Sequence, residues 1–451
     1  MRLSGLEEKW QEGSSGFALL CNRREDFDPR ASLFHNPMHW EYKALPPPTL
    51  PTDPGKEWTE EHFRGFVRDE FGIRQRERPL PPDARIVPRH CDYQGVVSRL
   101  LRESEGHFVY GDYFEKLLVA SAGSSIPERL FTLFTDDVFG RDVNSRNLSS
   151  GALEEMIASQ ADLRIGLRLA VLGLPFRDQN PFRTTEWADV VTLAEAAFLV
   201  RLHVIALAIY QLVPTGANWV ILSDGRAYCR LFGVDEASAQ RYLDRVRDLR
   251  SLLNLTGTVS VLDLQSLIDR FPRDEAGRSL FDRTRRSVED HLWELQEVAG
   301  LAEAFSSLIG GIRWNMNTRS VIDEVGRNAL WAWLHSQPVS SVRLTELDSE
   351  ARIAALRYAA FNLTLRYYDV VNAMLPGLLR ATVHPKAGQI AVPRLGQVSP
   401  WNGVAVARES SVGRLEVSIA PLHAIPPETY GYHDHRSSED YVFFSDTMEV
   451  H

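Results

Sequence analysis

The sequence predicts an α/β fold: a Rossmann-like mixed sheet with helices on both faces, accompanied by a substantial α-helical portion. Two apolar strand-like segments, 165–174 and 219–222, each run directly into a polar cluster. Between them lies 190–213, which is long and apolar enough to be a buried helix. Short strand-like segments return late in the chain, and strands that alternate with helices are typical of a sheet covered on both faces.

The start of the chain differs in composition from the rest. Proline clusters at 46–54 and 79–82 form polyproline-type spacers, and apolar residues at helical spacing lie between them. This pattern predicts an extension on the surface of the protein. The resulting boundaries are a proline-rich N-terminal extension over 1–85, an α/β domain over 86–425 and a polar, aromatic C-terminal tail over 426–451.

The middle domain carries the predicted helices and strands. Pro214 and Gly216 end the long apolar helix, as these residues commonly do. The other helical patterns cover 93–101, 125–134, 235–252, 259–306 and 346–379, of which the last two are charged and form the predicted α-helical portion. The later strand-like segments cover 381–383, 389–392, 403–407 and 415–419.

Composition limits the classes of function. The 451-residue chain is 44% hydrophobic, which is ample for a sizeable core, and its formal net charge is −10. This charge argues against non-specific nucleic-acid binding, which depends on clustered Lys and Arg that neutralise phosphates. Glu195, Arg201 and His203 interrupt the apolar 190–213 segment, so we expect a buried helix and no membrane span.

Cysteine usage and the N-terminus indicate the compartment. Cys21, Cys91 and Cys229 are far apart and lack CxxC spacing, so we expect neither a disulfide framework nor a cysteine zinc site. Charged residues interrupt the first 17 positions, which argues against a signal peptide. We therefore expect a cytoplasmic protein.

The polar cluster after 219–222 is the strongest candidate site. Asp224, Gly225 and Arg226 place two opposite charges where a buried strand ends, and in open α/β sheets ligands bind beyond the carboxyl ends of the strands. The segment after 165–174 reads Pro-Phe-Arg-Asp-Gln-Asn and supplies a second polar strand end. An Asp-Gly pair is also an ordinary turn, so Asp224 has a purely structural interpretation as well.

Other motifs carry little signal. The chain has no Walker loop, no GxGxxG and no GxSxG, so nothing favours nucleotide binding or a serine hydrolase. His433 and His435 alternate along the chain, but no third ligand accompanies them, and we predict no metal site.

Six segments, taken in order, resemble the isocyanide synthases of the pyoverdine/dityrosine biosynthesis family. The family motifs are Pro-Phe-Lys-Ser-Gln-Asn, Asp-x-x-Glu, Tyr-x-Pro-Gly-Ala, Ser-Asp-Gly-Arg, Arg-Leu-Ser-Ile-His-Pro and Pro-Trp-His. The similar segments of this chain are 175–180, 192–195, 210–217, 223–226, 380–385 and 400–402. The chain therefore resembles a divergent member, and the first 85 residues and the tail lie outside the resemblance.

The departures from the family motifs concern mostly basic groups. Arg177 stands where a Lys is usual, which keeps the charge but replaces a point ammonium with a planar fork. Gln389 stands in place of another Lys, for which the nearby Lys386 can compensate. Asn402 replaces a His and so removes a group that titrates near neutral pH. Thr192 occupies the Asp position of the helix start.

The resemblance implies a specific reaction. The amine of an aromatic amino acid, Tyr or Trp, joins the ketone of ribulose 5-phosphate, keeps one sugar carbon as an isonitrile, and the rest of the sugar leaves. The ketone itself supplies the imine carbon, so no cofactor is implied. The implied partners are the two small-molecule substrates and, by analogy, a pathway oxygenase that acts on the isonitrile.

The implied reaction requires groups that bind the phosphate and the carboxylate, bind the sugar hydroxyls and transfer protons, and these requirements suggest a role for each candidate residue. The catalytic candidates are His384 and Asp224, which suit proton transfer and orientation of the amine. The substrate-binding candidates are Arg177, Arg226, Arg380, Arg394 and Lys386 for the anionic groups, Gln179, Asn180 and Asn402 for the sugar hydroxyls, and Trp401 for stacking.

Structural interpretations stand beside these roles. Arg226 and Arg380 suit structural ion pairs equally well, Trp401 suits the core, and Glu195 suits a helix cap or an ion pair. Two further hypotheses stay open for the whole chain: a relative that makes another N-modified amino acid, and a non-catalytic binding protein.

Overall fold

The computed structural model describes most of the chain after residue 84. The described residues are 85–136, 139, 151, 166–177, 184, 189–213, 215–232, 234–295, 353–354, 357–358, 360–361, 364–365, 368, 370–382, 390–392, 395–396, 398–425, 428–435 and 441–445. The extension predicted over 1–85 lies outside them, apart from its last residue.

The chain divides into two compact units. The sheet unit comprises the described residues of Pro79–Ala227, Asp235–Leu264 and Gly377–His451, and the helical unit comprises those of Tyr228–Val234 and Gln265–Pro376. Within the helical unit, the ring of Tyr228 lies 4.8 Å from that of Tyr358 and 4.9 Å from that of Phe361. The domain boundaries drawn from composition are a separate division and stay a prediction.

Within the part of the chain that the structure describes, the strands form two five-stranded sheets. In chain order they are β1 (Arg85–Cys91), β2 (Leu167–Leu172), β3 (Ala217–Ser223), β4 (Val259–Asp263), β5 (Leu379–Thr382), β6 (Ile390–Ala391), β7 (Val404–Glu409), β8 (Leu415–Ala420), β9 (Glu428–Asp434) and β10 (Tyr441–Ser445). The first sheet has the order β1-β9-β10-β7-β8 and mixes parallel and antiparallel pairs. The second has the order β4-β3-β2-β5-β6, and all its pairs are parallel.

The helices that the structure describes lie between these strands. They are α1 (Tyr93–Phe108), α2 (Asp112–Ala120), α3 (Ile126–Thr135), α4 (Leu193–Leu212), α5 (Gly225–Tyr228), α6 (Glu236–Leu252), α7 (Leu264–Asp269), α8 (Leu280–Leu295) and α9 (Val370–Met374). Three short 3₁₀ turns, at Cys229–Phe232, Pro400–Asn402 and Leu422–Ala424, complete them. Two sheets with intervening helices confirm the predicted α/β class.

The long apolar segment forms the buried helix α4. Thr192 and Glu195 form its capping box: the Thr192 hydroxyl accepts from the backbone of the first turn, and the Glu195 carboxylate accepts from the Thr192 backbone N–H. By length and composition α4 is one helix in the described part of the chain that could cross a membrane, but 83% of its apolar window is buried inside the protein. The expectation of a buried helix is thus confirmed.

The parallel sheet has a topological switch point beside β2. Along the chain, β3 and β4 add to one side of β2, whereas β5 and β6 add to the other side. Open α/β sheets bind ligands at such a point, in the crevice beyond the carboxyl ends of the strands. The ends of β2, β3 and β5 therefore border the candidate ligand crevice.

Some strands lie in segments where the sequence did not predict them. Residues 259–263 were predicted as helical but form β4, because Val259, Val261 and Asp263 alternate with more exposed residues and the segment pairs with β3. The predicted tail contains β9 and β10, which are inner strands of the first sheet. Its aromatic residues drive this pairing, since Tyr432 and Phe443 are buried and their rings stack 4.5 Å apart.

Candidate functional site

The two polar strand ends predicted from the sequence meet at the carboxyl edge of the parallel sheet. β2 pairs in register with β3 up to its last residue, Leu172, which lies beside Leu222. The Ser223 hydroxyl then donates to the Leu174 carbonyl at 2.8 Å. Gly225 approaches so closely that a Cβ placed on it would lie 1.7 Å from the Pro175 carbonyl oxygen. Only glycine fits this contact.

The turn after β2 is strained. Leu174 is fully buried and has a φ of 53°, in the left-handed region that leucine rarely adopts. It also precedes Pro175, which restricts its backbone further. Such a conformation costs on the order of 1–3 kcal/mol and persists only where surrounding contacts fix it. The contacts from Ser223 and Gly225 are those fixing contacts.

A third segment, the turn Pro400–Asn402, packs against the end of β2. The Trp401 ring meets Phe198 edge to face with centroids 6.0 Å apart, and a Cβ on Gly173 would lie 2.7 Å from the same indole. Trp401 is 7% exposed and belongs to the hydrophobic core. The structure thus places it in the wall of the site, as in the structural interpretation, and Asn402 follows it as a half-buried residue.

Arg177 joins these segments from the inside. Its guanidinium is fully buried and donates to Glu195, to the Pro400 carbonyl at 2.9 Å and to the Gly403 carbonyl at 2.8 Å. The Tyr242 hydroxyl donates to the same Glu195 carboxylate at 3.0 Å. The role predicted for Arg177, anion binding, needs an accessible guanidinium, whereas this one binds protein groups in the interior.

Asp224 is a buried titratable group at this edge of the sheet. It follows β3, is 5% exposed, and its Oδ1 atom is buried without a hydrogen-bond partner. Burial raises the pKa of Asp224 from 3.8 to about 7, outweighing a hydrogen bond from its own backbone N–H that lowers it. A strongly shifted carboxyl at a ligand-binding edge is a candidate catalytic group.

Arg226 is held by two carboxylates. It donates to Asp263 at 2.6 Å and to Glu236 at 3.2 Å. The ion-pair interpretation of Arg226 therefore describes its contacts in this structure. Sequence reasoning missed Asp263, although it ends β4 just as Asp224 follows β3. The signal was the same apolar run ending in a carboxylate, and assigning 259–263 to a helix concealed it.

The remaining candidates are placed only in part. Arg380 lies within β5 opposite Ala170, and its side chain is exposed. Gln179, Asn180, His384, Lys386 and Arg394 lie outside the described residues. Asp224 and Arg226, with the turns that carry Arg177, Trp401 and Asn402, therefore meet at one edge. Within the described part of the chain, no three His, Cys, Asp or Glu residues form a group suited to a metal ion.

Comparison with known proteins gives two findings. The family model described as pyoverdine/dityrosine biosynthesis protein matches residues 160–418, which is more than half of the chain. A solved structure, the PvcA protein from Pseudomonas aeruginosa, is 16% identical; the alignment covers 66% of this chain and 93% of that chain with a TM-score of 0.44. No curated protein sequence matches the chain.

Proposed function

The chain belongs to the pyoverdine/dityrosine biosynthesis family, and from that premise we propose that it is an isocyanide synthase-like enzyme of natural-product biosynthesis. Its proposed substrates are an L-amino acid, with Tyr and Trp as the first candidates, and ribulose 5-phosphate as the one-carbon donor. The proposed product carries an isonitrile on the amino-acid nitrogen. Because sugar carbon–carbon bonds break, the reaction is of the lyase type.

The observation that carries the proposal is that Asp224 is buried at the sheet edge and has a raised pKa. An amine must lose its ammonium proton before the nitrogen lone pair attacks the ketone carbon, and forming the imine then releases one water. A buried carboxyl with a pKa of about 7 is matched to this proton transfer at neutral pH. Its place at the carboxyl edge of a parallel sheet, beside the switch point, supports a role in binding small molecules.

The other candidates keep their proposed roles in the reaction. His384 is proposed as a second proton-transfer group, and Arg380, Lys386 and Arg394 as ligands of the phosphate and the carboxylate. Gln179, Asn180 and Asn402 are proposed to bind the sugar hydroxyls. Arg177 and Trp401 support the wall from inside, so we propose that they act on the substrate through the turn they hold. The ketone supplies the imine carbon, and the proposed chemistry therefore uses no cofactor.

The test incubates purified protein with ribulose 5-phosphate and a panel of L-amino acids. A tetrazine captures any isonitrile, and mass spectrometry identifies the adduct. We expect an adduct from the wild type and from Asp248→Asn, a control on an exposed face of α6. Asp224→Asn is expected to lower the rate by about 100-fold or more, because general acid–base groups contribute that much.

Other outcomes select the other hypotheses. Amino-acid consumption without a trapped isonitrile indicates another N-modified product. No turnover of any amino acid by the folded protein contradicts the proposal and favours a non-catalytic binding protein.

A further inference from the structure

We infer that the edge formed by the ends of β3 and β4 is the cation-binding end of the proposed site, and that Asp224 there receives the free ammonium group of the substrate. This inference rests on the proposed function, which it deepens by assigning one end of the substrate to one end of the site. It predicts that the site selects ligands with a primary amine.

The charge at this edge supports a cation. The carboxyl groups of Asp263 and Glu236 both contact the Arg226 guanidinium, and Asp224 directly follows β3 at the same edge. Arg226 contacts Asp263 at 2.6 Å and Glu236 at 3.2 Å. Arg226 is therefore paired with these two carboxylates, and Asp224 is a third carboxyl group at this edge.

That third carboxyl has one buried oxygen without a hydrogen-bond partner. Asp224 is 5% exposed, and its buried Oδ1 atom has no hydrogen-bond donor. An ionised carboxylate in such a place is costly unless a proton or a cation accompanies it. Without a ligand a proton fills this role, since the pKa of Asp224 is raised to about 7. With a ligand, a cation that donates hydrogen bonds fills it better.

An ammonium fits this place better than a metal ion. Divalent ions require several oxygen or nitrogen ligands, and the described residues provide no group of three around Asp224. A primary ammonium needs one carboxylate and supplies three donors. The anionic groups of the substrates are then expected away from the β3–β4 edge, where Arg226 is already paired.

The binding step has a simple proton balance. The ligand arrives as R–NH₃⁺, and the Asp224 carboxyl loses its proton to the buffer as the ion pair forms. The pKa of Asp224 is about 7, so binding at pH 7 is expected to release a measurable fraction of a proton per ligand. A ligand that lacks the amine releases none.

The experiment measures binding and proton release by calorimetry in buffers of different ionisation enthalpy, without ribulose 5-phosphate. The probes are L-tyrosine, L-tryptophan, tyramine and tryptamine, compared with the amine-free 3-(4-hydroxyphenyl)propionate and indole-3-propionate. We expect the amines to bind about 10- to 100-fold more tightly than the amine-free acids, because a hydrogen bond to a charged group is lost in the latter.

The pH dependence has a defined sign. The ionised form of Asp224 binds the ammonium, so the affinity for tyramine is expected to rise about tenfold per pH unit below pH 7 and to level off above it. Tyramine keeps its charge throughout, since alkyl amines titrate near pH 10.

Variants separate this site from others. Asp224→Asn is expected to lose the preference for amines, the proton release and the pH dependence, while Asp248→Asn keeps all three. Equal affinity for amines and amine-free acids, or amine binding without proton release in the wild type, overturns the inference. No binding of any amine overturns it as well.

Its failure is distinguishable from failure of the proposed function. Isonitrile formation without the proton release leaves the function standing and removes this inference. Amine binding with proton release, but without isonitrile in the presence of ribulose 5-phosphate, supports the assignment of Asp224 and contradicts the proposed function.

Discussion

At the scale of single residues, the burial of Asp224 suits the proposed proton transfer but lowers the stability of the folded protein when the carboxyl group is ionised. Its pKa is raised from 3.8 to about 7 by burial, so the folded state binds the proton more tightly than the unfolded state does. This contribution to stability is fully present below pH 4 and is lost as the pH rises through 7. Its size is roughly 4 kcal/mol by linkage.

The first prediction concerns this loss. Asp224→Asn removes the buried ionised carboxyl, so it is expected to raise the free energy of unfolding at pH 8 and to change it little at pH 4. Denaturant unfolding at both pH values, followed by circular dichroism, measures the difference. A variant that is less stable than the wild type at pH 8 contradicts the burial argument.

The second prediction concerns Gly225. A Cβ at this position would lie 1.7 Å from the Pro175 carbonyl, and backbone cannot yield as a side chain does. Gly225→Ala is therefore expected to cost about 1–3 kcal/mol of stability and to displace the strained turn after β2. Thermal unfolding measures the cost, and tetrazine trapping measures the activity.

Gly257→Ala is the matched control, because a Cβ there would meet no atom within 4 Å. It is expected to stay within about 0.5 kcal/mol of the wild type. Equal effects of the two substitutions would show that the close approach at Gly225 has no energetic consequence.

Some features of the candidate site could be predicted from the sequence of this chain, and others could not. The run Ser-Asp-Gly-Arg after an apolar strand was sufficient to locate Asp224 at a sheet edge, because strand ends in α/β folds lead into ligand crevices. The partners of Arg226 were not predictable, since Asp263 and Glu236 reach it only through tertiary pairing. The burial of Arg177 was hidden for the same reason.

At the scale of elements, the Arg177–Glu195 pair fastens three segments together. It connects the loop after β2, the start of α4 and the turn Pro400–Asn402. Arg177→Met leaves the Glu195 carboxylate buried without its cation, and removing one partner of such a pair costs about 3–5 kcal/mol. This third prediction is measured by chemical denaturation.

An exposed arginine serves as the control. Arg241 pairs with Asp189 on the surface, and Arg241→Met is expected to cost no more than about 1 kcal/mol. Adding Glu195→Gln to Arg177→Met should recover part of the loss, because the uncompensated charge disappears. If the double variant is as unstable as the sum of both single ones, the two residues are not energetically coupled.

Elements were predictable where local signals agree with the tertiary environment. α4 combines an apolar run with a capping box at Thr192 and Glu195, and its bounds fell within a few residues of those expected. β4 is short and precedes a helix directly, so its alternating pattern was lost in the charged helical sequence that follows. β9 and β10 were overlooked because polar residues surround their buried aromatics.

At the scale of the whole molecule, the C-terminal segment is part of the fold. β9 pairs with β1 on one side and β10 on the other, and β10 pairs with β7. A chain that ends at residue 425 lacks these two inner strands, so β1 loses the partner β9 and β7 keeps only β8 as a partner. The fourth prediction is that this truncation yields unfolded or aggregated protein, because it exposes unpaired strand edges.

A chain that ends after Ser445 keeps both strands and is the control. Size-exclusion chromatography and circular dichroism are expected to show a folded protein for this control only. A soluble, folded product of the truncation at 425 would support the tail predicted from composition.

The order of the strands in the two sheets could not be predicted from the sequence. The class of fold followed from alternation of strands and helices, but the division into two sheets depends on pairing between distant segments such as β1 and β9. The switch point beside β2 emerged only from that order. The location of the candidate site thus needed both the sequence motif and the topology.

The most direct test of the central claim follows one carbon atom. Ribulose 5-phosphate labelled with ¹³C at its ketone carbon is incubated with the protein and L-tyrosine or L-tryptophan. A tetrazine is then added, and the mass of the adduct is measured by mass spectrometry. The proposed reaction places the label in the isonitrile, so the adduct is expected one mass unit heavier than that from unlabelled sugar. An adduct without the label, or no adduct from folded protein with either amino acid, contradicts the claim.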